Sequence, residues 1–139
     1  MAFAKEEFQK QCAKQGVCFP AADDTSVLTA PVAVGDRTIP NRLVCQAMEG
    51  CDGTADGRPG ELTVRRYERL ARGGAGLIWF EATACMQNGR ANPRQLFLCE
   101  KTLDSFQAIV ERIKETAMKA NGYAPVIIMQ DTHSGRYSK

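Results

Sequence analysis

Apolar positions along this chain change their period from segment to segment, and the changes predict an ordered series of elements. Phe3 to Gln15 is polar with Phe3, Phe8 and Cys12 loosely on one side, a short helix expected to dock as an N-terminal arm. Phe19-Pro20 and Asp23 to Ser26 follow as a linker. Val27 to Val34, Gly35-Asp36 and Arg37 to Ile39 predict a hairpin, kept at an edge by Pro31 and Pro40. Leu43 to Met48 is a compact apolar strand, and Glu49 to Gly60 a Gly/Asp-rich loop. Glu61 to Arg72 carries Leu62, Arg66/Tyr67 and Leu70/Ala71 at helical spacing, stopped by Gly73-Gly74. Ala75 to Glu81 is continuously apolar up to its last residue, as a parallel strand buried on both faces would be. A second loop runs from about Ala82 to Lys101. Thr102 is placed to cap a helix with Leu103, Phe106, Ile109/Val110, Ile113 and Ala117 on one face, ended by Asn121-Gly122. Val126 to Gln130 is a third buried strand.

The series reads as a hairpin followed by β-α-β-α-β, with crossovers long enough for right-handed parallel connections. The loops after the first two strands are long, and the turns after the helices are short. In α/β folds such loops gather at the carboxyl ends of the strands, where ligands bind. Gln46/Met48/Glu49, Glu81/Ala82 and Gln130/His133 are therefore predicted to converge on one face.

Composition narrows the function classes. With 139 residues, 44% hydrophobic and 24% charged, one soluble globular domain is the default. A net charge of +2, spread along the chain, gives no footprint for nucleic acid. No apolar stretch approaches the ~20 residues of a membrane span. The acidic residues near Met1 do not fit a secretory signal, so a cytoplasmic location is expected. Cys12, Cys18, Cys45, Cys51, Cys85 and Cys99 form no CxxC pair, which points to free thiols and no metal site. No GxGxxG follows the first strand, which argues against a nucleotide-binding Rossmann domain.

Each candidate residue also has a purely structural reading. Met48 reads as plain core. Gln130 can anchor a loop, and His133, the only histidine, can hydrogen-bond one. Arg136 can pair with Asp131 or Glu81, Glu81 can belong to a buried ion pair, and Gly135 can permit a tight turn.

Asn41-Arg42-Leu43-Val44 leading to Ala47-Met48, the run from Tyr67 through Gly73-Gly74-Ala75-Gly76 to Glu81-Ala82, and Gln130 through Tyr137 stand in order. Together they resemble three motifs of the old yellow enzyme family of flavin oxidoreductases, the third in the form seen near 2,4-dienoyl-CoA reductases and related NADH:flavin oxidoreductases. The resemblance covers roughly Leu28 to Lys139. It implies a (β/α)8 barrel, of which this chain would hold the N-terminal hairpin and the first three β/α units, because such barrels run to about 250 residues. Residues 1–26 would be the arm and linker, and 27–139 the barrel portion.

The resemblance further implies FMN as cofactor, NAD(P)H as co-substrate and a small-molecule substrate. Gln46, Ala47, Met48, Glu49, Ala82 and Gln130 match positions around the flavin ring. Cys51, Thr132 and His133 are substrate-pocket candidates. The chain departs from the pattern at Ala47, where family members commonly have Pro, and at Asp131, where an apolar residue is usual. Catalytic residues and the phosphate anchor would lie downstream of Lys139, so the isolated chain is expected to be inactive and to hold flavin weakly. A homo-oligomer or a complementary C-terminal barrel segment is the expected partner. The alternative is an inactive split or truncated barrel that self-associates through its unpaired strand edges.

Overall fold

The computed structural model describes residues 5–139, so Phe3 of the N-terminal helix lies outside the described residues. α1 (Lys5–Lys14) buries no residue. Instead of docking into a core it closes on its own linker, with Phe8 6.2 Å from Phe19, ring to ring, and Lys5 paired to Asp23 at 2.6 Å.

The hairpin is shorter than the sequence predicts. Ser26–Leu28 is a 3-10 turn, fixed by the Asp24 carboxylate accepting from the backbone N–H and the hydroxyl of Ser26. β1 (Val32–Val34) starts only after Pro31 and pairs antiparallel with β2 (Arg37–Ile39). Gly35, at φ +60°, supplies the positive dihedral that a two-residue loop of this kind needs.

The main sheet has the order β3-β4-β5 and is parallel throughout. β3 is only Val44–Cys45, not Leu43 to Met48. Beyond the ladder, side chains hold the chain instead: Arg66 donates to the Met48 carbonyl and Glu81 accepts from Gly50 N–H. β4 (Leu77–Ala84) runs three residues past Glu81, and β5 (Val126–Thr132) two past Gln130. β4 is buried along most of its length, as expected of a central strand. β5 is half-exposed, because one of its edges has no strand beside it among the described residues.

α2 (Glu61–Arg72) and α3 (Leu103–Asn121) cover one face of this sheet. α2 presents Thr63, Tyr67 and Ala71, one turn apart, and α3 presents Phe106, Ile109, Ile113 and Ala117. Tyr67 stacks on Phe80 of β4 with ring centres 4.2 Å apart. Leu62 and Leu103, expected on the buried faces, are exposed. Thr102 precedes α3 but does not cap it. Its hydroxyl donates to the Phe97 carbonyl and accepts from Cys99 N–H, so it ties the incoming loop. Gly122 ends α3 in the left-handed region and donates to Met118.

At the amino ends of the strands, Asn41 locks three connections. Its Oδ1 accepts from Gly76 and Leu43, and its Nδ2 donates to the Gly74 carbonyl and the Tyr123 hydroxyl. That end of the sheet is thereby fixed by buried polar bonds, and the long loops are left to the opposite end.

Candidate functional site

Strand pairing builds the floor of the site. Phe80 pairs with Met129 and Ala82 with Gln130, so Glu81 is an extra residue in β4. Such a bulge re-aims the side chains beyond it. Ile78 and Phe80 face the helices, together with Ile127 and Met129. Without the bulge, the two-residue period would send Ala82 to the same side. With it, Ala82 joins Gln130 on the open face, which Trp79 and its partner Ile128 also share. Both of those apolar side chains are 40% exposed.

Glu81 itself points to the helix side and is 2% exposed. Its carboxylate accepts from Arg66 at 2.8 Å and from Gly50 N–H at 3.0 Å, and its own N–H donates to the Tyr67 hydroxyl at 2.7 Å. Arg66 also reaches Asp52 at 3.0 Å, and Asp52 accepts from Thr63 at 2.6 Å. Burial, with the Glu81 charge beside it, pushes the Tyr67 phenol far up and keeps it protonated. Glu81 therefore belongs to a buried ion pair that anchors the loop after β3 to α2. The sequence held this open against a catalytic base.

The loop after β4 folds back as a strap. Phe97 bridges to Ala84 in parallel register, and Leu96 is fully buried. Arg90, itself buried, braces the strap by donating to the carbonyls of Ala55, Pro93 and Gln95. This places the buried amide of Gln95 among the strand ends. Its Nε2 lies 3.3 Å from the Ala82 carbonyl, 3.2 Å from the Thr132 hydroxyl and 3.3 Å from the Glu49 carboxylate. Its Oε1 accepts from Ala91 N–H at 2.6 Å. Glu49 also receives Asn92 at 3.5 Å, and the Cys51 thiol stands 3.9 Å away. Partial burial and the Glu81 charge hold the Glu49 carboxyl above the usual carboxylate range.

The structure brings some predicted residues together and not others. Ala82 and Gln130 are partners across the ladder, and Glu49 meets Thr132 through Gln95. Cys51 sits beside Glu49 and Asn92 in a left-handed conformation, φ 48°, unusual for a side-chain-bearing residue. Ala47 is half-buried. Gln46 and Met48 line a cleft of about 290 Å³ against Arg66 and Tyr67 of α2. Met48 is 74% exposed, so the core reading of this residue is wrong. His133 holds the closing loop: its Nδ1 accepts from Gly135 N–H at 3.0 Å, and its ring lies against Gly89. Arg136 pairs with neither Asp131 nor Glu81, but lies over the Tyr137 ring and donates to its hydroxyl. All six cysteines are free, and among the described residues no group of His, Cys, Asp or Glu is placed to hold a metal ion. No helix among them is long and apolar enough to cross a membrane.

Gln95, Arg90 and Asp52 were not singled out from sequence. For Gln95 a signal was present: Leu96-Phe97-Leu98 is a short apolar run inside an otherwise polar loop, which marks a strap docked on the core.

The fold and site define an α/β unit with its polar residues gathered at the carboxyl ends of a parallel sheet, the place where barrel enzymes keep theirs. Models of known protein families give no match. Among individual proteins, the chain is 32% identical over 117 residues to an NADPH dehydrogenase of Geobacillus sp. and 30% identical over 113 residues to one of Bacillus subtilis. These stretches cover 82% and 78% of this chain, which spans 32% and 31% of the length of those relatives. The old yellow enzyme homologue of Zymomonas mobilis is 25% identical in sequence and superposes with a TM-score of 0.65, over 78% of this chain and 28% of that one. The chain is thus a homologue of part of the old yellow enzyme family.

Proposed function

We propose that this chain supplies one side of the flavin-ring seat of an FMN-dependent NAD(P)H oxidoreductase of the ene-reductase or NADH-oxidase type. Its β3-α2-β4-α3-β5 series would be the first three units of the (β/α)8 barrel, with 1–26 as arm and linker and 27–139 as barrel portion. The observation that carries this reading is the pairing of Ala82 with Gln130 on the open face, in a chain related to NADPH dehydrogenases.

The residues present suit a flavin. Ala82 is small, which leaves room beside its ladder partner, whereas Ala84 is fully buried against the strap. Gln130 is exposed beside Ala82, and its carboxamide both donates and accepts, as the pyrimidine edge of the ring requires. Gln46, Ala47, Met48 and Glu49 would approach from β3. Thr132, His133 and Cys51 would border the substrate. Bound FMN supplies the hydride chemistry between NAD(P)H and an acceptor; the protein orients the ring and stabilises charge on it. The test is reconstitution: the chain is mixed with the remaining segment of a related NADPH dehydrogenase, then assayed for FMN binding and NAD(P)H oxidation. A pair that shows neither sinks the reading.

The open face favours a second reading. Trp79 and Ile128 form an apolar patch there, and β3 and β5 each leave an edge unpaired. On its own the chain would then self-associate as a catalytically inactive module, or take up a complementary segment. Sedimentation velocity decides: a compact monomer across a wide concentration range counts against it.

A further inference from the structure

The Gln95 amide has more acceptors than protons. The Ala91 N–H donates to Oε1 at 2.6 Å, which fixes the orientation of the amide and turns Nε2 toward Ala82, Thr132 and Glu49. Nε2 has two hydrogens for these three acceptors. An ionised carboxylate forms the stronger, charge-assisted bond. The Ala82 carbonyl belongs to a buried residue, where losing a partner costs most. The hydroxyl of half-buried Thr132 is the acceptor that can turn away.

We propose that Gln95 is the positioning residue of this site and that, through it, the ionisation of Glu49 decides whether the Thr132 hydroxyl is held as an acceptor or released. With Glu49 protonated, the two hydrogens of Gln95 go to Ala82 and Thr132. Thr132 then accepts from Gln95, and its own hydrogen, which no described residue accepts, is committed to a ligand. The ligand class this selects is one with an acceptor oxygen, such as a carbonyl. With Glu49 ionised, Gln95 turns to the carboxylate and Thr132 loses that fixed role. The role given to the ligand rests on the flavin-site reading; the coupling itself does not.

Other titratable and charged groups surround this cluster. Glu81 on β4 acts on Glu49 electrostatically, and Arg66 on α2 is bonded to Glu81 and Asp52. Cys51 neighbours Glu49, the Cys85 thiol donates to the Thr132 carbonyl, and Asp131 and His133 flank Thr132 in the chain. The test must separate Glu49 from these.

The experiment is an NMR titration of the full chain from about pH 3 to 8, a range that spans carboxylate and imidazole ionisation. It follows the Glu49 carboxyl carbon, the Gln95 side-chain amide and the Thr132 methyl. The expected result is one shared midpoint in the unmodified protein. In E49Q the steps at Gln95 and Thr132 vanish. In Q95M Glu49 still titrates and Thr132 no longer follows. A Thr132 step that persists in E49Q, as Asp131 or His133 would produce, overturns the proposal, and so does the absence of any Thr132 step in the unmodified protein. If Q95M does not fold, E49Q decides alone. No flavin enters the measurement, so failure to bind FMN and failure of the coupling are separate results.

Discussion

Ala82 stands opposite Gln130 only because Glu81 is passed over in the pairing of β4 with β5. One extra residue therefore does two things. It keeps a carboxylate on the helix side, against Arg66, and it turns a small side chain toward the open face beside an amide.

Gln130→Leu separates stability from binding. Gln130 is exposed, and its amide makes no side-chain bond among the described residues, so the substitution is expected to change unfolding free energy by no more than ~0.5 kcal/mol. If its carboxamide bonds FMN, affinity falls about tenfold, the equivalent of one hydrogen bond of ~1.4 kcal/mol. Urea denaturation and a flavin fluorescence titration of the reconstituted protein measure the two effects. Unchanged affinity removes Gln130 from the seat.

Glu81→Ala leaves Arg66 with Asp52 as its one carboxylate partner, beside the Met48 carbonyl, and Gly50 N–H without its acceptor. Removing one partner of a buried pair typically costs about 3–5 kcal/mol, and the partial exposure of Arg66 places this case at the lower end. Glu81→Gln keeps an oxygen for Gly50 or Arg66 and is expected to lose less. Denaturation midpoints that rank the two variants the other way would contradict the ion-pair role.

Gly76→Ala tests the lock at the other end of the sheet. An added Cβ would lie 2.7 Å from Asn41 Oδ1 and 2.8 Å from the Asn41 carbonyl, so backbone must shift. Asn41→Ala leaves the Gly76 N–H without that acceptor, at about 1–3 kcal/mol for an unsatisfied buried group. Because both act on one contact, the double variant is expected to lose less than the sum of the singles. Thermal melts of the three variants check this; strict additivity would show that the contact is not shared.

Much of this was legible in the sequence, and the failures have physical causes. Tyr67, Phe106, Ile109 and Ile113 follow helical spacing, and Gly73 and Gly122 end their helices where expected. The parallel strands appear in order because their apolar runs are continuous. β3 is overestimated because the chain leaves the ladder after Cys45 and is next anchored by Arg66 at the Met48 carbonyl and by Glu81 at Gly50 N–H, long-range contacts that no local pattern encodes. The site was half legible. Gln130 and Ala82 emerge from resemblance and strand ends, but the bulge that brings them face to face is a register effect between distant segments. Gln95 is polar in a polar loop and is marked only indirectly, by the neighbouring apolar run Leu96-Phe97-Leu98 that folds back on β4.

Glu49 gives a pH dependence whose sign is fixed by its environment. Its carboxyl is held above the ordinary range, first by burial and then by the Glu81 charge. The folded protein therefore binds a proton at Glu49 more tightly than the unfolded chain does. The stability linked to this group is fully present below the unfolded carboxyl value, about 4.3, and is lost as pH rises through the higher folded value. Glu49→Gln carries no titrating group and resembles the protonated form at every pH. The difference in melting temperature between Glu49→Gln and the unmodified protein should then grow in favour of the variant across that window, and level off above it. Added salt should shrink the part that comes from repulsion by Glu81 more than the part that comes from burial. Melts across the pH range at two salt concentrations check both statements. A difference that stays constant with pH would show that folding does not shift the Glu49 carboxyl, and one that grows in favour of the unmodified protein would show that Gln95 and Asn92 stabilise it as the anion.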